Sequence, residues 1–388
     1  MQIIIKGTTT CNLRCVYCSE GDKPPMILDD AVFYKLVDDL PELLDAIGDK
    51  EIDFLWHGGE PMTMGRPKLG RLMTYAKEHL SGYKVVFSMQ SNGYAIDDEW
   101  IDFFKTYDVK VGISFDGLPE MHDANRPTQD GKPTAATILG NIEKMRQNGL
   151  HVGTLMVLNT AEPIDDVRLF NFITEHQLQP KIHPVIPCGR ARGRDDAQKI
   201  YEKYNDLLKR LYVHCIQTEE HIIIEPLNAM MEAILGSVSI GECCFSGTCG
   251  KKFMCLYPNG GMGVCGRDNL SEVYAYGSLQ TTSLLDLYES PTAQKIRSRQ
   301  EYLQTHDCKD CGYWEFCHGG CAFEAVNTYG TLDHVYPHCQ QRKELLVWLQ
   351  TTGLELLQEA LIAQKRMYRA RLQERRRLLK EVSGHARE

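Results

Sequence analysis

The chain has 388 residues, 43% of them hydrophobic, which suffices for a sizeable core and excludes an intrinsically disordered protein. A formal charge of −9 gives no general attraction to nucleic acid or to an anionic membrane, so neither is expected as a partner. The opening Met1-Gln2-Ile3-Ile4-Ile5-Lys6-Gly7 has no cleavable signal and no run approaches ~18 apolar residues, so a cytoplasmic protein without membrane spans is expected.

Short runs rich in β-branched and aromatic residues at 2–5, 52–56, 84–89, 111–115, 152–158 and 181–186 predict strands. Helical periodicity fills 30–46, 67–79, 97–106, 135–147 and 163–175 between them. This alternation predicts an α/β chain with a parallel sheet and right-handed crossovers. Six such units predict a partial, open (β/α)6 TIM barrel. Residues 195–235 read as bridging helices, and at Cys243 the chain changes to short elements, Gly-rich turns and cysteines. Leu256 to Cys265 reads as a hairpin turning at Asn259-Gly260-Gly261. After Cys339 one long helix is expected to about residue 381. Three parts follow: a barrel with bridging helices over 1–235, a small cysteine-rich domain over 236–345 and a basic C-terminal helix over 346–388.

Fifteen cysteines without an export signal favour metal or cluster ligation over disulfides, because a reducing cytosol keeps thiols free. Three lie within 11–18, five within 243–265 and five within 308–339. Cys11, Cys15 and Cys18 follow the first strand at spacings that let one loop hold three corners of an iron–sulfur cubane, leaving the fourth iron open to a chelating ligand. A zinc site lacking its fourth ligand is the competing reading. Ligand sites of βα barrels lie where strands end, as this loop does.

Cys11-x3-Cys15-x2-Cys18, with Tyr17 before the last cysteine, resembles the signature of the radical S-adenosylmethionine superfamily. His57-Gly58-Gly59-Glu60-Pro61, after the second strand, resembles the family's Gly-Gly-Glu-Pro motif, whose backbone and Glu meet the methionine amino group. Gln90-Ser91-Asn92-Gly93 and Ser114-Phe115-Asp116-Gly117, after the third and fourth strands, match its ribose and carboxylate side. Arg126 fits a carboxylate-binding arginine. The resemblance therefore assigns Tyr17, Gly58, Gly59, Glu60, Gln90, Asn92, Ser114, Asp116 and Arg126 to S-adenosylmethionine. Taken singly, each turn also reads as an ordinary Gly turn.

Cys308-x2-Cys311-x5-Cys317-x3-Cys321, then Cys339, with Gly260-x4-Cys265 upstream, resembles the SPASM extension of peptide-modifying radical enzymes. That resemblance implies two auxiliary 4Fe–4S clusters, three in all. Cys321 would join Cys249, Cys265 and either Cys243 or Cys244 on one, and Cys308, Cys311, Cys317 and Cys339 would hold the other. Paired zinc ribbons are the alternative. The leftover thiols, Cys188, Cys215, Cys255 and one of Cys243 and Cys244, read as small buried hydrophobes, with Cys255 able to replace an assigned ligand.

The resemblance implies a radical oxidoreductase acting on a peptide, reduced by a flavodoxin or ferredoxin-type donor. In sulfatase-maturing members an Asp directly after the cysteine matching Cys265 is the base; here that residue is Gly266. Asp268 is the candidate substitute, and an ion pair with Arg267 is its structural alternative. Cys265-Gly266-Arg267 with Tyr276-Gly277-Ser278-Leu279 looks more like maturases of ribosomal precursor peptides, including those that form cyclophane crosslinks; thioether and formylglycine formation are the alternatives. With ten residues before Cys11, no fused leader-binding domain is expected. Leader recognition is expected from the C-terminal helix, the 195–235 segment or a separate leader-binding protein. In that helix Lys365, Arg366, Arg369, Arg371, Arg375, Arg376, Arg377 and Lys380 face only Glu374, and read either as a solvated face or as a dock for an acidic leader.

Overall fold

A computed structural model of the chain describes residues 1–218, 222–236, 243–267 and 273–385. Six parallel strands form the barrel sheet: β1 (Gln2–Thr8), β2 (Glu51–Gly58), β3 (Lys84–Ser91), β4 (Val109–Ser114), β5 (Val152–Leu158) and β6 (Pro180–Pro184). The crossover helices are α1 (Asp30–Ala46), α2 (Arg66–His79), α3 (Asp98–Tyr107), α4 (Pro119–Asn125), α5 (Ala135–Gln147) and α6 (Asp166–Glu175). Aspartates start several of them. Asp29, Asp97 and Asp165 each accept a backbone N–H of the first turn, satisfying donors that a helix leaves unpaired.

Strand alternation separates a core face from a lumen face. On β2, Ile52, Phe54 and Trp56 are buried, and the Phe33 ring of α1 stacks on Trp56 at 5.4 Å. The alternate residues Asp53, Leu55 and His57 are half-buried and face the lumen. By the same alternation Ile4 and Lys6 of β1, and His183 of β6, lie on the lumen side.

The cysteine-rich part is not a separate layer. Its strands β7 (Phe253–Leu256), β8 (Gly261–Gly263) and β9 (Ala275–Ser278) extend the same sheet, β7 pairing in parallel with β1 from Gln2↔Phe253 to Ile5↔Leu256. The nine strands run β6-β5-β4-β3-β2-β1-β7-β8-β9. The turn between β7 and β8 uses Gly260 at φ 80°, a left-handed backbone that favours glycine.

Helices α7 (Ala197–Gln217) and α8 (Leu227–Ile234) bridge to the cysteine-rich part. There α9 (Leu284–Tyr288), α10 (Pro291–Thr305), α11 (Trp314–Cys317), α12 (Ala322–Tyr329) and α13 (Cys339–Trp348) carry or support the cysteine loops. A π turn at Leu349–Gly353 leads into α14 (Leu354–His385). The α7 helix anchors both ends of this region: Tyr336 hydrogen-bonds Tyr201 at 2.7 Å, and Tyr212 donates to the Gly353 carbonyl at 2.8 Å. Among the described residues no helix is long and apolar enough to cross a membrane.

The short helix α4, which the sequence periodicity did not announce, places His122 beneath the site. His122 is fully buried; its Nδ1 accepts from the Asp116 backbone N–H at 3.1 Å, and its Nε2 lies 3.1 Å from Thr134 Oγ1. Burial lowers its pKa from 6.5 to about 4, so the fold holds the neutral ring. Its contribution is complete above the unfolded pKa near 6.5 and is lost as pH falls towards 4, by roughly 3 kcal/mol. Thermal melts should therefore fall across that acid window, and His122→Gln should flatten the dependence.

Candidate cluster and cofactor site

The loop with Cys11, Cys15 and Cys18 connects the end of β1 to α1 and is gripped from two sides. Arg14 and Val16 donate backbone N–H groups to Pro127 and Asn125, and Gln129 Nε2 donates to the carbonyls of Cys11 and Leu13. From the other side, Arg190 donates its backbone N–H to the Cys18 carbonyl and its Nη1 to the Cys15 carbonyl, both at 2.9 Å. Gly189 makes this approach possible: a Cβ there would stand 2.2 Å from the Cys18 carbonyl oxygen. Sequence reading missed this clamp; its signal was the Gly189-Arg190 pair just after the sixth strand.

The three thiols lie within electrostatic reach of one another. Burial first, and then repulsion from Glu60, Cys15 and Cys18, push Cys11 up to about 12. Asn92 Nδ2 stands 3.8 Å from Cys11 Sγ, and Arg126 Nη1 stands 3.8 Å from Cys15 Sγ. Half-buried thiols that repel one another in this way carry negative charge readily once a cationic metal group shares them. Three thiols with amide and guanidinium donors around them fit a cluster with one iron free of protein ligands.

The three glycine turns lie next to this loop. Gly59 N–H donates to Thr8 O and Glu60 N–H to Thr10 O, each at 2.8 Å, and a Cβ on Gly59 would stand 2.2 Å from Thr10 O. Glu60 is 1% exposed, and burial raises its pKa to about 6. Its oxygens accept from Met62 N–H at 3.1 Å, Ser91 Oγ at 2.9 Å and Asn92 N–H at 2.8 Å. Thus Glu60 ties the turn after β2 to the turn after β3. Gln90 Nε2 donates to Ser114 Oγ at 3.0 Å, and Gly112 leaves room for the Gln90 amide, which a Cβ would approach to 2.5 Å.

Asp116 is wholly buried and similarly committed. It accepts from Tyr17 Oη, from Arg126 Nε at 3.1 Å and from Val157 N–H at 3.0 Å. The Arg126 guanidinium lies 5.2 Å from the Tyr17 ring centre. Asp116 therefore organises Tyr17 and Arg126 from within the fold, while Arg126 turns Nη1 towards Cys15.

In the cysteine-rich region the structure forms two further thiol groups. Burial, then repulsion from Cys265 and Cys243, pushes Cys249 up to about 12; Cys321 is raised by burial and, among neighbouring charges, by Cys265. Of the alternatives to Cys243, Cys244 acts on Arg267 and Tyr336, whereas Cys255 is fully buried on β7 beside Lys6. Arg267 Nη1 lies 3.9 Å from Cys321 Sγ and 3.6 Å from Glu324. Asp268 falls outside the described residues. Gly266 is crowded: a Cβ there would stand 3.1 Å from Ile4 Cγ2 and 3.4 Å from Lys6 Cε.

Cys308, Cys311, Cys317 and Cys339 line a cavity of about 60 Å³ closed by Tyr313 and Arg342. Among the described residues no three His, Cys, Asp or Glu side chains draw together as ligands of a single metal ion do; these four thiols stand around a void instead. Four cysteines about such a space fit a fully ligated cluster. Arg299, 5% exposed, shapes the loop between Cys317 and Cys321 by donating to the carbonyls of Gly319, Gly320, Leu332 and His334. Arg299→Ala leaves those carbonyls unmet and should cost about two thirds of the protein's iron, read by iron and sulfide assay, because that loop joins Cys317 and Cys321, which the resemblance puts in different auxiliary sets.

An open parallel barrel with three neighbouring thiols at a strand end, followed by two more thiol sets, defines a radical S-adenosylmethionine protein with a SPASM extension. Residues 5–173 match the model of the Radical SAM superfamily, and residues 243–312 match SPASM, an iron–sulfur cluster-binding domain. The chain belongs to this family, whose two domains imply 4Fe–4S clusters and S-adenosylmethionine. It is similar to the serine-type anaerobic sulfatase-maturating enzyme of Bacteroides thetaiotaomicron, 24% identical with 80% of each chain covered. A cysteine-type counterpart from Clostridium perfringens is 25% identical, covering 83% of this chain and 88% of that one. In fold, native anSMEcpe with bound AdoMet matches at a TM-score of 0.78 and 21% identity, covering 93% of this chain and 99% of that one. Streptococcus suis SuiB bound to its precursor peptide SuiA matches at 0.63 and 15% identity, covering 87% and 75%.

Proposed function

We propose that this chain is a maturase that oxidises a ribosomally made precursor peptide, closing a crosslink, a carbon–carbon cyclophane bond on an aromatic residue. Gly266 carries this reading. It occupies the position where formylglycine-forming relatives are expected to hold an aspartate base, and Ile4 and Lys6 crowd the space a side chain there would enter.

When bound, the first cluster and S-adenosylmethionine supply a carbon radical able to take a strong C–H hydrogen. The chain's own residues have the remaining tasks. Cys11, Cys15 and Cys18 hold the first cluster; Cys243, Cys249, Cys265 and Cys321 hold the nearer auxiliary cluster; Cys308, Cys311, Cys317 and Cys339 hold the farther one. Arg126 binds the methionine carboxylate, its Nε fixed by Asp116 and its Nη1 turned towards Cys15. Gly58, Gly59 and the Gln90–Ser114 pair shape the cofactor turns. The walled lumen excludes water and competing hydrogen donors. Arg267, between Cys321 and Glu324, orients the peptide at the lumen mouth. A flavodoxin or ferredoxin-type protein supplies electrons, and the basic first turns beyond Leu361 on α14 receive an acidic leader.

Similarity to SuiB in complex with a precursor peptide supports a peptide substrate. A second reading, formylglycine formation, is favoured by near full-length similarity to sulfatase-maturating enzymes. Co-expression with short peptides encoded beside the gene, followed by mass spectrometry, separates them. Loss of two hydrogens with fragmentation blocked between two residues supports the crosslink, and a Cys at one end of that block makes it a thioether. Conversion of a single Cys or Ser to an aldehyde overturns it.

A further inference from the structure

Lys6, on the lumen face of β1, is 2% exposed, and Glu20 is 7% exposed. Lys6 Nζ meets Glu20 Oε1 at 2.6 Å as an ion pair without the angles of a directed hydrogen bond, while Lys23 Nζ donates to Glu20 Oε2 at 2.7 Å. Taking such a pair out of water is costly, and uncharged residues of similar volume often serve stability as well. Its placement suggests another use.

The two ends of the pair touch different loops. Glu20 lies two residues beyond Cys18. Lys6 Nζ stands 4.9 Å from the Tyr257 ring centre, and Tyr257 Oη donates to the Cys265 carbonyl at 2.9 Å. Lys6 Cε also packs where a side chain at Gly266 would begin. The negative end therefore belongs to the first cysteine loop, and the positive end, on β1, abuts the Cys265 loop.

We propose that the Lys6–Glu20 pair is a fixed dipole between the two nearest cluster sites, making the Cys265 cluster easier to reduce and the Cys11 cluster harder. A negative charge beside a cluster opposes an added electron and a positive charge favours it, more strongly in a buried site. This rests on the ligand sets proposed above.

The test is a redox titration of the loaded protein followed by electron paramagnetic resonance. In Lys6→Met/Glu20→Gln, which removes both charges together, the midpoint of the Cys265 cluster should fall, that of the Cys11 cluster should rise, and that of the Cys308 cluster should stay. Lys6→Arg should keep the original values. Shifts of all three in one direction, or no shift, overturn the dipole. Should the double variant not load iron, Glu20→Gln alone decides: the midpoint of the Cys11 cluster rises, or the idea fails. A wrong ligand assignment is distinguished separately, because Cys265→Ala would then retain every cluster signal.

Discussion

Replacing Cys11, Cys15 and Cys18 together by alanine should remove about a third of the iron and reduce S-adenosylmethionine cleavage by at least about a thousandfold, with both auxiliary signals intact. The loop's hold on the barrel makes this selective. Its backbone is fixed by Asn125, Pro127, Gln129 and Arg190, none of which needs a thiol, so the triple variant should fold. The auxiliary thiols lie on other elements. Iron quantification with spectra of the reduced protein gives the first part, and release of 5′-deoxyadenosine gives the second. Equal loss from all three sites would refute the separation of sites described above.

Asp116→Ala should be the most damaging single change outside the cysteines, destabilising the fold by about 3–5 kcal/mol. The carboxylate is wholly buried and receives Tyr17 Oη, Arg126 Nε and Val157 N–H. Removing it strands a buried guanidinium, which is worse than removing both partners. Asp116→Ala/Arg126→Met should therefore recover much of the melting temperature without recovering cofactor binding. A melting temperature unchanged in Asp116→Ala would show that the cluster of groups around Tyr17 is not structural.

The six barrel strands and their crossover helices were legible because period-two and helical patterns alternate cleanly from Gln2 to Pro184. Boundaries moved where a cap or a proline decides: Asp97 proved to be the residue that caps α3, and β6 ends at Pro184. The cysteine spacings marked the cluster sites because local spacing is all that a loop ligand set requires. Less visible was what stands behind them. Glu60 and Asp116 fit motif positions, yet their oxygens join turn to turn and Tyr17 to Arg126, partnerships between residues 10 to 99 positions apart. Arg190, Arg299 and the Lys6–Glu20 pair had no motif to announce them. α4 was missed because seven residues give too little periodicity to register.

The shared edge between β1 and β7 makes this molecule one piece of architecture rather than a catalyst with an accessory. An open barrel leaves its first strand with unpaired backbone groups, and an exposed, apolar Gln2–Ile5 edge invites pairing with other chains. In this protein the cysteine-rich hairpin covers that edge, so the segment read as a redox module also protects the barrel from self-association. Shortening the gene to end before Phe253 would not yield a smaller working enzyme. It would yield a sheet with a sticky side, found in inclusion bodies before any question of radical chemistry arose.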